Sequence, residues 1–577
     1  MSKLSFPHKY LNYNEMISDL DLLCKQFPKN VEIEKINLIK TLENRSIVAL
    51  RVYPKGKKIK QPTVWMDANM HSAELIGTNT VLAHIQQLAE KLTNQEDKFF
   101  QVNYVFIPRI CPDGAEQYFT TGKKNRSNAR DMRNQSELGC YWQRMCLLEK
   151  DIKLNTYELL QQKNRIGYIR KKSPSGTWVQ DEMYPQLIRK RELGDKEPFY
   201  DIYPEGIIEN FDGTSIPPAN CVGDNEVDLN RNFPVDWVPN YLDNKGGKMP
   251  FSEPESKAIA DFALSIPELY FWLNYHTFGG VFIRPLESKD DFAMDITDRS
   301  IYYTLDRKIQ ELTNYPAVSC HNEFTYIPGK PLQGCLTGFS YQAIGAISYV
   351  CELWDLPKRI GRDDRPFVRR YDFWTKKEWR KIYELDRDSN NNTIFGTPWK
   401  SYQHPQLGEV EISEFPLTFG IFNPPESLIS EVVENQMGLL PLIVDIAPQP
   451  KVTAKIIDGK DQSFSSISLR IENTGFLSTN ISAARVKAQG EKKIIAQVIE
   501  LKNAEVLGSS IHHFKPLNGY APVINGWLDS PDLGSNYSSS YTVKIPVKKI
   551  NANKVIQGVI KVQIPFLGEY FAIIGEN

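Results

Sequence analysis

Two hydrophobic patterns alternate along the first 120 residues. Largely apolar runs such as Thr63–Met66 and Val102–Ile110 are typical of strands buried on both faces of a sheet. Apolar residues at three- and four-residue steps, in residues 12–27 and from Ile76 to Leu88, are typical of amphipathic helices instead. Strand, helix and strand within about 50 residues predict a crossover unit in which helices pack on a sheet.

The same patterns recur later and then change. Leu269–Tyr275 and Ala346–Cys351 are predicted buried strands, whereas residues 131–215 are charged and aromatic and are predicted to be an insertion. After residue 447, a linker at Pro448-Gln449-Pro450 precedes short alternating segments rich in β-branched residues. We therefore predict an α/β domain with a mixed central β-sheet flanked by helices over residues 1–447, and a C-terminal antiparallel β-sandwich domain over residues 448–577.

Charge and composition limit which binding partners and which cellular location we expect for the protein. The formal charge of −1 on 577 residues gives no electrostatic reason to expect nucleic acid or an anionic membrane as a partner. No apolar run approaches the roughly 20 residues of a membrane span, and the N-terminus has neither a signal-peptide pattern nor an evident pro-segment. None of the eight cysteines forms a CxxC pair. We expect a cytoplasmic protein and leave its oligomeric state open.

Candidate chemistry begins at the turn after Thr63–Met66. There, His71-Ser72-Ala73-Glu74 offers an imidazole and a carboxylate three residues apart, which can reach one metal ion. On its own, such a pair is weak evidence for a metal site, because most pairs of this kind lie on the surface. The segment Asp228-Leu229-Asn230-Arg231 and the residues His276 and Glu352 also follow predicted strands or turns, and the strand ends of such sheets collect active sites.

Together these stretches resemble the zinc carboxypeptidase family of the carboxypeptidase A type, peptidase family M14. The matching segments are HSAE at 71–74, DLNRNF at 228–233, the histidine of NYHTFGG and the glutamate of YVCELWD, with a PDG turn at 112–114. The resemblance implies one Zn²⁺ bound by His71, Glu74 and His276. It implies that Glu352 is the general base on a zinc-bound water that attacks the C-terminal peptide bond of a peptide.

The resemblance also assigns the surrounding residues. Asp228 would orient a ligand imidazole from behind, and Asn230 and Arg231 would bind the free C-terminal carboxylate of the peptide. Arg126, thirteen residues after Asp113, is the candidate that stabilises the oxyanion. Further candidates are Arg130, which is the alternative for the oxyanion or a substrate-binding residue, and Tyr326, which would close over the substrate.

The preferred terminal residue departs from the family pattern. Counting back from Glu352 puts Thr337 where the family sets its pocket, with an aspartate for basic and a bulky apolar residue for hydrophobic termini. Threonine indicates neither. Because Arg284 and Lys330 are expected near this position, the hypothesis is an acidic or polar terminal residue.

Two alternatives remain open. A zinc N-acyl amino acid deacylase of the aspartoacylase type shares the NRNFP segment, but those enzymes usually carry glycine where this chain has Ser72, and they are much shorter. A non-catalytic peptide-binding protein is the other alternative. The intact Glu352 and the three candidate ligands argue against it.

Overall fold

The computed structural model describes residues 4–54, 61–121, 126–130, 139–144, 168–218, 227–239, 245–325, 327, 329–362, 367–390, 395, 398–413, 420–461, 463–521, 538–551 and 553–575. Statements below concern these residues.

A mixed eight-stranded sheet, the main sheet, forms the centre of the first 450 residues. Its three innermost parallel pairings join Asn103–Ile107, Thr63–Ala68, Leu269–Thr277 and Ile347–Leu353. The strands in spatial order are Val31–Lys40, Ser46–Pro54, Asn103–Ile107, Thr63–Ala68, Leu269–Thr277, Ile347–Leu353, Val281–Arg284 and Ala317–Ser319. This order brings the segments that follow Thr63–Ala68, Leu269–Thr277 and Ile347–Leu353 to one edge of the sheet.

Both faces of the main sheet are covered at its centre. Every residue of Thr63–Ala68 and Leu269–Thr277 is buried. Val64 and Met66 belong to one hydrophobic cluster while Trp65, between them, belongs to another on the opposite face. This explains why these strands appear as continuous apolar runs in the sequence.

Helices flank this sheet, as predicted. The helix predicted over residues 12–27 spans Tyr13–Cys24 and begins at a capping box formed by Asn12 and Glu15. Among the described residues, the remaining α-helices are Ile76–Thr93, Pro112–Thr121, Pro254–Leu264, Ile296–Thr313, Cys320–Glu323, Leu336–Gly338, Leu356–Arg359, Lys376–Asn390, Ile429–Glu434, Leu439–Asp445 and Ala483–Gln489. The α/β fold class is confirmed.

Additional strands lie outside the main sheet. Tyr141–Arg144 pairs with Gly206–Glu209. A six-stranded antiparallel sheet consists of Lys400–His404, Gly408–Ser413, Tyr168–Lys172, Phe199–Pro204, Trp178–Gln180 and Ile188–Lys190. The segment predicted as an insertion therefore shares its sheet with strands that follow residue 399.

The C-terminal residues form two four-stranded antiparallel sheets, here called the C-terminal module. One contains Pro450–Asp458, Phe464–Asn473, Ser540–Lys549 and Ala504–Val506, and the other contains Ile511–Phe514, Ile494–Lys502, Gln557–Ile564 and Gly568–Ile574. Alternate side chains such as Ile467, Leu469 and Ile471 are fully buried, which agrees with the predicted alternation.

A short helix of the C-terminal module, Ala483–Gln489, contacts the preceding part of the chain. The carboxylate of Asp298 accepts hydrogen bonds from the backbone N–H groups of Ala483 at 2.8 Å and Ala484 at 3.0 Å. The buried Arg485 donates to the carbonyls of Pro267, at 3.1 Å, and Leu269. We call this group the junction cluster.

Among the described helices, none has both the length and the apolar character that crossing a membrane would need.

Candidate active site

The turn that carries His71 and Glu74 is held by two asparagines. The Asn69 side chain, whose backbone φ is +57°, donates to the carbonyls of His71 at 2.8 Å and Glu74 at 3.2 Å. The Oδ1 atom of Asn423 accepts from the N–H groups of Leu75 and Ile76, at 2.9 and 3.1 Å, and so caps the helix Ile76–Thr93. The turn is therefore fixed from both sides, which holds both side chains of the motif in place.

His276 and Glu352 occupy neighbouring strands. They are direct register partners in the parallel pair formed by Leu269–Thr277 and Ile347–Leu353. Because both strands end at the same edge of the main sheet, the two side chains come to the side on which His71 and Glu74 lie.

His71, Glu74 and His276 converge on one point, and we call them the ligand cluster. Their candidate ligand atoms all lie within 4.8 Å of one another, and all three residues are buried. The Nδ1 atom of His71 is 2.8 Å from Oε1 of Glu74, and the Nδ1 atom of His276 is 2.8 Å from Oε2. Two ring nitrogens and a carboxylate fit zinc and leave a coordination position open.

The outer nitrogens of both rings are also bound. Nε2 of His71 lies 3.1 Å from Oδ1 of Asp228, and Nε2 of His276 contacts Oδ1 of Asn274. Metal-binding histidines commonly have such partners, which fix the ring orientation and the tautomer. Both the candidate ligand atoms and the groups that hold the two rings from behind therefore fit a metal site.

Opposite charges dominate the electrostatics of the ligand cluster. Burial alone would raise the pKa of Glu74, but His71 and His276 hold that pKa well below its usual range. Burial would likewise raise the pKa of Asp228, but Arg126, His71 and Arg231 hold it well below its usual value. Both carboxyl groups are therefore ionised at neutral pH.

Glu352 differs from these two carboxylates. Burial, reinforced by the negative charge of Glu74, raises the pKa of Glu352 to about 8 against the opposing effect of His276. The residue as a whole is nonetheless only partly buried. A carboxylate with a pKa near neutral suits proton transfer.

The two candidate arginines have different surroundings. Arg126, whose side chain is 43% exposed, lies 3.4 Å from Oε1 of Glu74 and 3.2 Å from Oδ2 of Asp228. Arg130 instead contacts Oε2 of Glu253 at 3.2 Å, just before the helix Pro254–Leu264. Of the two guanidinium groups, that of Arg126 borders the ligand cluster.

Asn230 and Arg231 lie in a single 3-10 turn after Asp228. The backbone N–H of Asn230 donates to Oδ1 of Asp228 at 2.8 Å, and its side-chain Oδ1 accepts from the N–H of Leu336 at 2.9 Å. The Nη1 atom of Arg231 donates to the carbonyl of Asn230 at 2.7 Å and lies 3.5 Å from Sγ of Cys335. Hydrogen bonds thus connect this turn through Asp228 to His71. Tyr326, the remaining candidate, lies outside the described residues.

Two of the residues expected near the terminal side chain of a substrate are buried in the fold. Arg284 is buried and ion-paired with Asp306, at 2.8 Å, and with Asp291, so its charge is neutralised within the fold. Thr337 is buried as well. Sequence reasoning missed Glu287, whose carboxylate lies against Gly338, next to Thr337. It follows a strand as the other candidates do, but no motif marks it.

The chain is also similar to known proteins. The family model described as zinc carboxypeptidase matches residues 16–146 and 181–378. A carboxypeptidase B from Astacus astacus is 27% identical over 131 residues, which are 23% of this chain and 41% of that protein. The chain therefore spans less than half the length of this curated relative.

Two solved structures are similar to larger parts of this chain. Carboxypeptidase A from Helicoverpa armigera has a TM-score of 0.39 and 18% identity, covering 61% of this chain and 66% of that one. A metallo-carboxypeptidase from Burkholderia cenocepacia has a TM-score of 0.30 and 10% identity, covering 60% and 61%.

Proposed function

The chain belongs to the zinc carboxypeptidase family, whose model matches more than half of its 577 residues, and from this membership we propose that it is a metallocarboxypeptidase. It hydrolyses the C-terminal peptide bond of peptides that have a free C-terminus. The observation that supports this most strongly is the ligand cluster, with Glu352 on the adjacent strand and Arg231 near Asp228.

His71, Glu74 and His276 would hold one zinc ion, which supplies the Lewis acidity that activates water and polarises the scissile carbonyl. Mixed histidine and carboxylate ligation favours zinc over harder divalent ions. Asp228 keeps the His71 ring in the orientation that directs Nδ1 into the cluster, through its contact with Nε2.

Glu352 moves the proton in this proposal. A raised pKa makes the ionised carboxylate a stronger base, and the same group then returns the proton to the leaving amine. Because its strand neighbour is His276, the base is positioned beside the ligand cluster by the sheet itself.

Three further side chains act on the substrate. Asn230 and Arg231 bind its terminal carboxylate, for which the planar guanidinium fork is suited. Arg126, at the border of the ligand cluster, donates to the oxyanion that forms on the scissile carbonyl. The roles of Tyr326 as a closing residue and of Arg130 as an alternative rest on the family resemblance, and a cytoplasmic location stays a prediction.

The test is release of free amino acids from a peptide library with varied C-termini. Wild type is compared with Glu352→Gln, and bound zinc is counted in both proteins. We expect release by wild type and a loss of about 100- to 10,000-fold in the variant with zinc retained, because removing a general base costs that much.

Other outcomes would contradict the proposal. Bound zinc without release from any peptide, but with hydrolysis of N-acyl amino acids, would indicate the deacylase alternative. Tight peptide binding without hydrolysis of either substrate class would indicate the non-catalytic alternative.

A further inference from the structure

The position of a substrate's last side chain follows from the residues proposed to hold its carboxylate. The segment 335–338 lies directly behind them, because Arg231 contacts Sγ of Cys335 and Asn230 accepts from the N–H of Leu336. A terminal residue whose carboxylate is bound at Asn230 and Arg231 therefore presents its side chain toward this segment. We call the space bordered by residues 335–338 and Glu287 the terminal-residue pocket.

Glu287 borders this pocket as a buried carboxylate. It is 5% exposed, and it follows the strand Val281–Arg284 by three residues. A Cβ atom added to Gly338 would lie 2.8 Å from its Oε2, so the end of the carboxylate packs closely against this glycine. The acid therefore lies next to the segment 335–338.

The other oxygen of this carboxylate lacks a partner. Within the described part of the chain, Oε1 of Glu287 is buried and makes no hydrogen bond, and no ion pair to Glu287 is found there. Leaving a buried carboxylate oxygen unsatisfied costs free energy, so such a group in a folded protein calls for an explanation. A ligand that brings its own hydrogen-bond donors to this oxygen supplies one.

The charges around Glu287 also favour a cation. Burial raises the pKa of Glu287 to about 7, and the negative charge of Asp236 adds to this effect, while Arg231 acts in the opposite direction. The proposed substrate carboxylate would occupy Arg231. A cationic side chain in the terminal-residue pocket would then offset the charge of Glu287. Arg284 does not compete, since Asp291 and Asp306 pair with it.

We propose that Glu287 is the specificity-determining residue and that it selects a cationic C-terminal residue, lysine or arginine, by pairing with the side chain at Oε1. This inference rests on the proposed carboxypeptidase function and replaces the acidic or polar preference expected from Thr337, Arg284 and Lys330.

The experiment compares wild type with Glu287→Gln, which keeps the shape of the side chain and removes its charge. The substrates are N-acyl dipeptides ending in arginine, lysine, leucine, phenylalanine or glutamate, assayed at pH 8. We expect wild type to prefer arginine and lysine, and the variant to lose about 10- to 150-fold in kcat/KM on these two, as for a hydrogen bond to a charged group. Its kcat/KM on leucine should change less than about threefold, since that side chain has no donor for Oε1.

Glu311→Gln is the matched control, because this exposed acid on the helix Ile296–Thr313 pairs only with Lys308 among the described residues. It should leave all five substrates unchanged. Preference of wild type for leucine, phenylalanine or glutamate, or equal losses on all five substrates in Glu287→Gln, would overturn the assignment of Glu287.

Calorimetry with free arginine and free lysine separates this inference from the proposed function. The zinc-loaded Glu352→Gln protein should bind both amino acids, and the double variant with Glu287→Gln should bind them at least tenfold more weakly. This measurement tests the assignment of Glu287 even if wild type cleaves no peptide. Weaker binding of the two amino acids by the double variant would support the assignment. Absence of binding, or equal binding by both proteins, would overturn it.

Discussion

The ligand cluster and the junction cluster both bury charged side chains, but those side chains face different partners. At the junction, Asp298 accepts from two backbone N–H groups and Arg485 donates to two backbone carbonyls. In the ligand cluster, His71, Glu74 and His276 direct their ligand atoms toward one another. Both junction side chains make hydrogen bonds to backbone groups, whereas the ligand cluster directs the lone pairs of three side chains toward a single point.

This difference distinguishes a structural group from a functional one. Buried charges that are satisfied by backbone groups fix how two parts of a chain fit together. Three lone-pair donors that lie within 4.8 Å of one another are instead stabilised by a bound cation. Residue type alone does not separate the two cases, because acids and bases are buried at both places.

The largest effect is expected from removing a ligand. In His276→Ala, bound zinc should fall from about one per chain to near zero, and peptide hydrolysis should fall by at least about 100-fold, the upper range for residues that only support a ligand. Zinc is measured by elemental analysis after dialysis, and hydrolysis with the peptide library.

His84→Ala is the matched control. His84 is also buried, but its Nε2 contacts the hydroxyl of Tyr275 at 2.8 Å, away from the ligand cluster. This variant should lose about 1 to 3 kcal/mol of stability as a core truncation and keep its zinc. Equal zinc contents in the two variants would show that the ligand cluster is not the zinc site.

The sequence could predict the main sheet and most of the candidate site for one physical reason. Parallel strands buried on both faces have continuous apolar runs, and polar residues directly after such runs gather at one edge. His71, His276 and Glu352 all follow that pattern, and the structure brings them to the same edge of the main sheet.

What the sequence could not predict depends on contacts between distant segments. Asn423 caps the helix after Glu74 although about 350 residues separate them. The carboxylate of Glu287 packs against Gly338, about 50 residues further along the chain. The strand Gly408–Ser413 completes a sheet begun near residue 168. Neither periodicity nor a local motif carries information about such pairings.

The next largest effect concerns the junction cluster. In Arg485→Met the aliphatic stem is kept, but the carbonyls of Pro267 and Leu269 lose their donor. We expect a loss of about 2 to 5 kcal/mol in unfolding free energy, because two buried acceptors become unsatisfied. Zinc content and kcat/KM per folded molecule should be unchanged, in contrast to His276→Ala.

Arg470→Met provides the comparison for this variant. Arg470 is 51% exposed and pairs with Glu472 on the same strand, so its removal should cost less than about 1 kcal/mol. Urea titrations of the three proteins measure these differences. If Arg485→Met were as stable as Arg470→Met, the junction cluster would not hold the two parts of the chain together.

The smallest effect is a pH dependence that has opposite signs at the two clusters. Burial raises the pKa of Asp298 from 3.8 to about 6, whereas the pKa values of Glu74 and Asp228 are lowered. A raised carboxyl pKa means that the folded state holds the proton more tightly than the unfolded chain. The stabilising contribution of Asp298 is therefore fully present below about pH 4 and is lost as the pH rises through about 6.

Asp298→Asn isolates this contribution. The difference in unfolding free energy, wild type minus variant, should fall by about 2 to 3 kcal/mol between pH 4 and pH 7, since two pKa units correspond to roughly that energy. Urea titrations of zinc-free protein at pH 4, 5, 6 and 7 measure it. A difference that rises with pH would mean that the donors to Asp298, which are the N–H groups of Ala483 and Ala484 and the hydroxyl of Tyr341, outweigh burial.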